Sequence, residues 1–321
     1  MFNMNNVILL PGAIKQLQQQ ADEAIQKQQF EEACEALQAL VDHKVGSHED
    51  LVNLLACLMK LKRLDDAEQY CLYFLDNSSD ATDQFHEVFE LYMMVLFEMN
   101  DFSEVMTLIK EISEQYVPEG LQEKYQALYT ICYEQNELIG KDVLHQFDQA
   151  IKEENHKKQS DLLYDWLTLM IEPNDDLANY VQLPEILPSI KTRILLMLME
   201  HQYSQPVKVE KFGNSKTVHP NQLLPVHQET SYSELLLSIQ SIEQNNPTLF
   251  NVITELIHQY CYVMYPFNVD EKNIASLESA FLIIGKQHLS LETTENEDDA
   301  MIKVFIKNIH ICSQLYSILE D

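Results

Sequence analysis

The sequence predicts an all-α fold, a superhelix of stacked helical hairpins, followed by one short β-hairpin near residues 206–219 and a C-terminal helical domain. A segment of two helices repeats after 34 residues, as described below. Only six glycines occur in 321 residues, and the stretches between helix breakers are rich in good helix formers such as Leu, Glu, Gln, Lys and Ala. Strand-type alternation of apolar and charged residues occurs clearly only at 206–219, around a turn that the pattern places at Gly213–Ser215.

The repeat is clearest at the start of the second helix of each pair. Phe30-Glu31-Glu32-Ala33 returns as Leu64-Asp65-Asp66-Ala67, which sets the 34-residue period. A third copy begins at Phe102, four residues late, and we place the insertion between residues 77 and 83. A fourth, degraded helical pair is predicted to start at Pro118, with Gly140 at the position of the small alanine. Ala33 and Ala67 are small enough to let neighbouring helices approach closely.

These residues resemble the tetratricopeptide repeat, and the resemblance extends from about Ile14 to Ile151. It implies hairpins that stack in order and bury a shared core, because a single pair cannot bury its own apolar face. It also implies a protein-interaction scaffold in which the first helix of each repeat lines a concave groove. The glycine usual near the first small position and the proline that usually ends each repeat are absent.

The register implied by the resemblance selects one stripe of each first helix as the groove. The candidate peptide-binding residues on these stripes are Val52, Met59, Glu90, Met94, Phe97, Tyr125, Tyr129 and Tyr133. The three tyrosines are spaced i, i+4, i+8 and share one helix face. They fit either a recognition surface or a core, and the sequence leaves both open. Apart from Lys15, the stripes lack the Lys, Arg and Asn of the subclass that grips acidic C-terminal tails.

The chain carries 51 acidic and 21 basic residues, a formal net charge of −30. Such a surface repels phosphate backbones, so we expect no nucleic-acid partner. A groove of this charge favours a basic or amphipathic peptide. The alternative explanation of the charge is solubility alone.

No catalytic residue, metal site or cofactor is predicted. The six cysteines are scattered singly, without zinc spacing, and no glycine-rich phosphate loop occurs. Unpaired cysteines suit a reducing cytoplasm, and the apolar run Val7–Leu10 is too short for a signal peptide or a membrane span. The use of Lys over Arg, with much Asn, points to a bacterial source.

We expect two domains, a repeat array over residues 1–203 and a hairpin-bearing helical domain over residues 204–321. The leading hypothesis is a non-enzymatic, cytoplasmic scaffold that binds an apolar or basic peptide. The alternatives are a regulator that closes on a peptide, and an enzyme using His219 and His227 in the C-terminal half. The partner's identity and the oligomeric state are left open.

Overall fold

A computed structural model describes residues 9–78, 83–114, 117, 119–293 and 299–319. Within these residues lie fourteen α-helices and one two-stranded sheet, which confirms the all-α prediction. The chain divides by its contacts into two compact units, an N-terminal unit Met1–Asn136 and a C-terminal unit Glu137–Asp321. The predicted domain boundary near Tyr203 therefore lies inside the second of these units, and as a boundary of independent folding it stays a prediction.

The helices of the repeat region are α1 (Pro11–Gln26), α2 (Phe30–Asp42), α3 (His48–Lys60), α4 (Leu64–Asp76), α5 (Asp83–Glu98), α6 (Phe102–Ser113) and α7 (Glu119–Lys152). Those that follow are α8 (His156–Thr168), α9 (Asp175–Asn179), α10 (Pro188–Glu200), α11 (Thr230–Asn245), α12 (Pro247–Met264), α13 (Ile274–His288) and α14 (Ala300–Ser317). The strands are β1 (Val207–Lys211) and β2 (Asn214–Val218). Residues 79–82, where we place the insertion, lie outside the described residues.

Local sequence fixes where these helices begin. The Ser47 side chain accepts a hydrogen bond from the Asp50 amide at 3.1 Å, and the Asp50 carboxylate accepts one from the Ser47 amide at 2.7 Å. This reciprocal capping box starts α3 and satisfies two amides that the helix itself leaves without partners. Asp101 caps α6 by accepting from the Glu104 amide at 3.1 Å.

Each hairpin in the N-terminal unit turns through one residue in the left-handed conformation. These residues are Gln28 (φ 60°), Lys62 (φ 58°) and Asn100 (φ 63°). The amide of the next residue reaches back to a carbonyl near the end of the first helix: Gln29 to Ala24 at 2.9 Å, Arg63 to Leu58 at 3.0 Å and Asp101 to Leu96 at 2.9 Å. This is the Schellman geometry, in which backbone bonds alone satisfy the last carbonyls of a helix. We call this arrangement the hairpin turn.

The interior of the array matches the packing expected of the small residues. Ala21, Ala33 and Ala67 are all buried, as are Leu37 and Leu55. The three alanines allow close helix contact, and the leucines remove apolar surface from water, which is the main force that stabilises the array.

The predicted fourth helical pair is wrong in one respect, because the break expected between its first helix and the second helix that carries Gly140 is absent. Helix α7 runs without interruption for 34 residues through that position. A lone helical glycine costs only about 1 kcal/mol relative to alanine and does not by itself end a helix. Gly140 serves a close approach instead, because a Cβ there would lie 2.5 Å from the Ile171 side chain and 3.1 Å from the Trp166 ring.

The hairpin turn reappears at the end of α7. Glu154 is left-handed (φ 53°), and the Asn155 amide donates to the Ala150 carbonyl at 2.9 Å. In all four turns the second helix begins four residues after the first one ends, at 26/30, 60/64, 98/102 and 152/156. The hairpin formed by the end of α7 and α8 thus repeats the local geometry of the earlier pairs.

One hydrophobic cluster of the C-terminal unit is formed by α11 to α14 and includes Ile253, Ile257, Phe281 and Ile309. The predicted β-hairpin is confirmed, with Val207 opposite Val218 and Lys211 opposite Asn214. Its turn differs from the prediction. The chain reverses at Phe212–Gly213, where both residues have positive φ, and Asn214 already belongs to β2. No helix among the described residues is long and apolar enough to cross a membrane.

Candidate functional site

The first helices of successive repeats are joined side by side by polar contacts. Gln18 of α1 donates to the Asp50 carboxylate at the start of α3 at 3.0 Å. His48 Nε2 lies 2.7 Å from the Glu87 carboxylate of α5, and that helix is linked to α7 by Lys124 and Glu90 at 3.5 Å. Helices α1, α3, α5 and the start of α7 therefore form one layer of the N-terminal unit.

Met94 is the most exposed of the predicted groove residues, with 52% of its surface accessible. Glu90 lies one turn before it and Phe97 one turn after it, and both are half-buried. The Phe97 ring packs edge-to-face on Phe102, with 5.1 Å between centroids, which fixes its orientation. Along α5 the structure thus brings together an acid, a flexible thioether and an anchored aromatic ring.

On the neighbouring helix α3, Val52 and Met59 are both half-buried. Each has accessible apolar surface while its remaining atoms pack against the array. Methionine adapts its shape to different partners at low cost. Together with Met94 these residues form the apolar part of the surface that we call the groove face, which comprises Val52, Met59, Glu90, Met94, Phe97, Tyr129 and Tyr133.

The tyrosine stripe divides between the core and the surface. Tyr125 is 3% exposed, and its ring lies against Phe89 of α5. Burial, with a smaller contribution from the charge of Glu90, raises the pKa of Tyr125 to about 12. Tyr125 therefore lies in the core and is not part of the groove face.

Tyr129 and Tyr133 are half-buried. Each step of four residues turns the side chain about 40° further around the helix, so the stripe rotates from the core toward solvent. The ammonium of Lys110 lies 5.7 Å from the centre of the Tyr129 ring, a cation–π contact that holds this ring in place. The sequence alone did not reveal the contact of Lys110 with Tyr129 or that of Lys124 with Glu90. Both contacts depend on how the helices pack.

The charge of this layer is mostly negative. Asp22, Glu49 and Glu87 are exposed on the predicted groove stripes, against one exposed lysine, Lys15. Exposed ion pairs such as Lys124 with Glu90 contribute little to stability and are readily exchanged for a partner's charge. An apolar surface surrounded by acidic side chains fits a peptide that combines apolar side chains with Lys or Arg.

The side chains considered for other chemistry lie apart from one another. His219 Nδ1 contacts the Ser204 carbonyl at 3.2 Å, and His227 lies 3.4 Å from the Gln228 side chain. Neither imidazole has a carboxylate within hydrogen-bond range among the described residues. The thiols of Cys71 and Cys132 are buried, which raises their pKa to about 12 and about 11 and makes them poor nucleophiles.

No protein-family profile matches the chain. The chain is similar to the TPR repeat-containing protein YsoA of Bacillus subtilis (strain 168), with 23% identity over 324 residues. The similarity covers 98% of this chain and 96% of that protein. This similarity agrees with the resemblance of the repeated helical hairpins to the tetratricopeptide repeat.

Proposed function

We propose that this protein is a non-enzymatic interaction scaffold that binds an apolar or basic peptide segment along its groove face. Proteins of the tetratricopeptide-repeat type generally bind other proteins and generally lack enzymatic activity, which supports the broad assignment. The observation that carries the finer one is the exposure of Met94 between Glu90 and Phe97, in a layer whose exposed charges are mainly acidic.

The peptide would lie across the first helices. Its apolar side chains would contact Met59, Met94 and Phe97, and its basic side chains would pair with exposed carboxylates such as Glu49. Burying a methionine side chain at such a contact stabilises a complex by about 1.5–3 kcal/mol before the entropy cost of ordering the peptide. The charge pairs would contribute chiefly to selectivity and to the rate of association.

The test compares two matched variants, Met94→Lys and Leu72→Lys. Both replace an exposed apolar residue of a helix in the N-terminal unit with lysine. Met94 lies on the first helix of its repeat, and Leu72, 40% exposed, lies on the second helix α4. A displayed library of peptides that alternate Lys with randomised apolar residues is selected on the full chain. Binding of the enriched peptides is then measured by fluorescence anisotropy.

We expect Met94→Lys to weaken these peptides by about tenfold or more, because it removes apolar contact and adds a like charge. Leu72→Lys should leave their affinity unchanged. Thermal melting of both variants establishes that they remain folded. Equal affinities for the two variants would overturn the proposal. So would enrichment of peptides that carry Glu in place of Lys and whose binding is also weakened by Met94→Lys.

The proposal includes a cytoplasmic location. The six cysteines are all free thiols in this structure, as expected in a reducing compartment.

A further inference from the structure

The C-terminal unit has a cleft where the tip of the β-hairpin meets the last helix. The cleft has a volume of about 240 Å³. Its lining residues come from the hairpin, the end of α12 and one face of α14: Phe212, Asn214, Met264, Asn308, Ile311 and Cys312. Four of these side chains are apolar and two are amides, and we call this site the hairpin cleft.

The hairpin is fixed to the helices by a buried lysine. Lys211 is 3% exposed, and its ammonium donates to the Val263 carbonyl at 3.0 Å and also to the Tyr265 carbonyl and the Thr192 hydroxyl. These bonds satisfy carbonyls at the C-terminal end of α12. Because Lys211 immediately precedes Phe212, the position of the hairpin tip is set by the core rather than by the turn alone.

Phe212 has an unusual conformation for its residue type. It is left-handed, with φ 49°, in a two-residue turn where Asn or Asp is normally preferred before glycine. Phe212 is 46% exposed and borders the hairpin cleft. A bulky residue in this conformation costs about 1 kcal/mol or more. The turn therefore pays an energetic penalty to present an aromatic ring at the surface.

The outer face of α14 extends the apolar surface beyond the cleft. Met301 and Val304 are exposed, Val304 to 51%, and they lie on the same stripe as Asn308 and Ile311. The sequence of α14 contains Lys303 and Lys307 and no Asp or Glu, in a chain whose net charge is −30. On the hairpin, the carboxylate of Glu210 is already paired with Lys208. Asp299 caps the start of α14, so the positive charge beside the apolar stripe lies further along the helix, at the exposed Lys307 next to Asn308.

We propose that the hairpin cleft and the outer face of α14 bind an acidic protein segment that carries apolar side chains. One apolar side chain of the segment would enter the cleft against Phe212 and Ile311. The amides of Asn214 and Asn308 offer donors and acceptors to its backbone, and Lys307 would pair with its carboxylates. This charge preference is opposite to that of the groove face, so the two surfaces select different partners.

The experiment uses the full chain and a displayed library of peptides that alternate Glu with randomised apolar residues. The decisive variant is Phe212→Asn, which removes the ring but places at the turn a residue that favours the left-handed conformation. The second variant is Lys307→Glu. The matched control is Lys141→Glu, a charge reversal at an exposed lysine of α7 in the same unit.

We expect enriched acidic peptides to bind the wild-type chain and the control equally, and to bind both decisive variants about tenfold more weakly or worse. Phe212→Asn should melt at or above the wild-type temperature, which excludes unfolding as the cause of lost binding. Failure to enrich acidic peptides, or equal affinity for Phe212→Asn, would overturn the proposal. It would also be overturned if Phe212→Asn abolished binding to phosphatidylserine vesicles, or self-association, with no effect on peptides.

Discussion

The rings of Tyr125 and Phe89 lie edge-to-face, with 6.1 Å between their centroids and 65° between their planes. This contact joins the start of α7 to α5 inside the N-terminal unit. It places Tyr125 in the core, although the residue shares a helix face with Tyr129 and Tyr133. The Tyr125 hydroxyl is buried without a hydrogen-bond partner among the residues that the structure describes.

Tyr125→Phe should therefore stabilise the fold. A buried hydroxyl without a partner costs about 1–3 kcal/mol, and phenylalanine keeps the ring contact with Phe89 while removing that group. We expect the free energy of unfolding in urea to rise by up to about 1 kcal/mol. Tyr129→Phe is the control, and it should change stability by less than about 0.5 kcal/mol because Tyr129 is only half-buried. A loss of stability in Tyr125→Phe would show that the hydroxyl has a partner in solution.

Gly140→Ala tests the close approach of other side chains to helix α7 at Gly140. The added Cβ would meet Ile171 and Trp166, and such overpacking costs about 1–3 kcal/mol, more than alanine's helix preference returns. The matched control is Gly120→Ala in the same helix, where a Cβ meets nothing within 4 Å. Trp166 is the only tryptophan, so its fluorescence reports on this contact directly. Equal stability of the two variants would refute the packing role of Gly140.

Lys211→Met tests how the β-hairpin is held. The variant keeps most of the side-chain volume but leaves the Val263 and Tyr265 carbonyls without this donor, so we expect a loss of about 2–4 kcal/mol. The control is Lys208→Met on the outward face of the same strand, with an expected change below about 0.5 kcal/mol. Chemical denaturation followed by circular dichroism measures both. A Lys211→Met chain as stable as wild type would show that burying the ammonium costs as much as its hydrogen bonds contribute.

Stability should fall at alkaline pH. Burial raises the pKa of the Cys71 thiol from 9.0 to about 12 in the folded chain. Above pH 9.0 the unfolded chain therefore loses this proton while the folded chain keeps it, and the difference favours unfolding as the pH rises. Each such thiol removes up to about 1.4 kcal/mol per pH unit in that window.

The measurement is urea denaturation in reducing buffer at a series of alkaline pH values. Cys71→Ala should show a shallower decline than wild type between pH 9.0 and 12, whatever its stability at neutral pH. The same decline in both chains would assign the effect to other groups. Cys312 and Tyr262, whose pKa values are also raised to about 12 by burial, are the first of these.

Much of the fold follows from local sequence. The starts of α2, α4 and α6 at Phe30, Leu64 and Phe102 were predictable because the pattern that marks them repeats within a few positions along the chain. The break between two helices that the repeat register placed before Gly140 was predicted wrongly, because the degraded repeat pattern there does not show where a helix ends. The register did place a small residue at Gly140, but the side chains that lie against it, Trp166 and Ile171, are distant in sequence.

The helix face that holds the candidate site was predictable, but the burial of each residue on that face was not. Repeat spacing identifies the helix face that holds Met94 and Tyr129, because that face follows from the helical period. Whether a tyrosine on that face is buried depends on the neighbouring helix. Phe89 covers Tyr125, and no local pattern encodes that contact. The assignment of the remaining residues to peptide binding is still a prediction.

The four hairpin turns offer positions for spectroscopic labels that report motion. Gln28, Lys62, Asn100 and Glu154 differ in charge and shape, yet all are exposed and share one backbone geometry. Backbone bonds hold these turns, so side chains at these positions can be exchanged for cysteine-linked spectroscopic labels with little effect on the hairpins. Label pairs at Gln28, Lys62 and Asn100 would then measure whether the N-terminal unit changes its curvature when a peptide binds, which separates a rigid scaffold from a peptide-responsive switch.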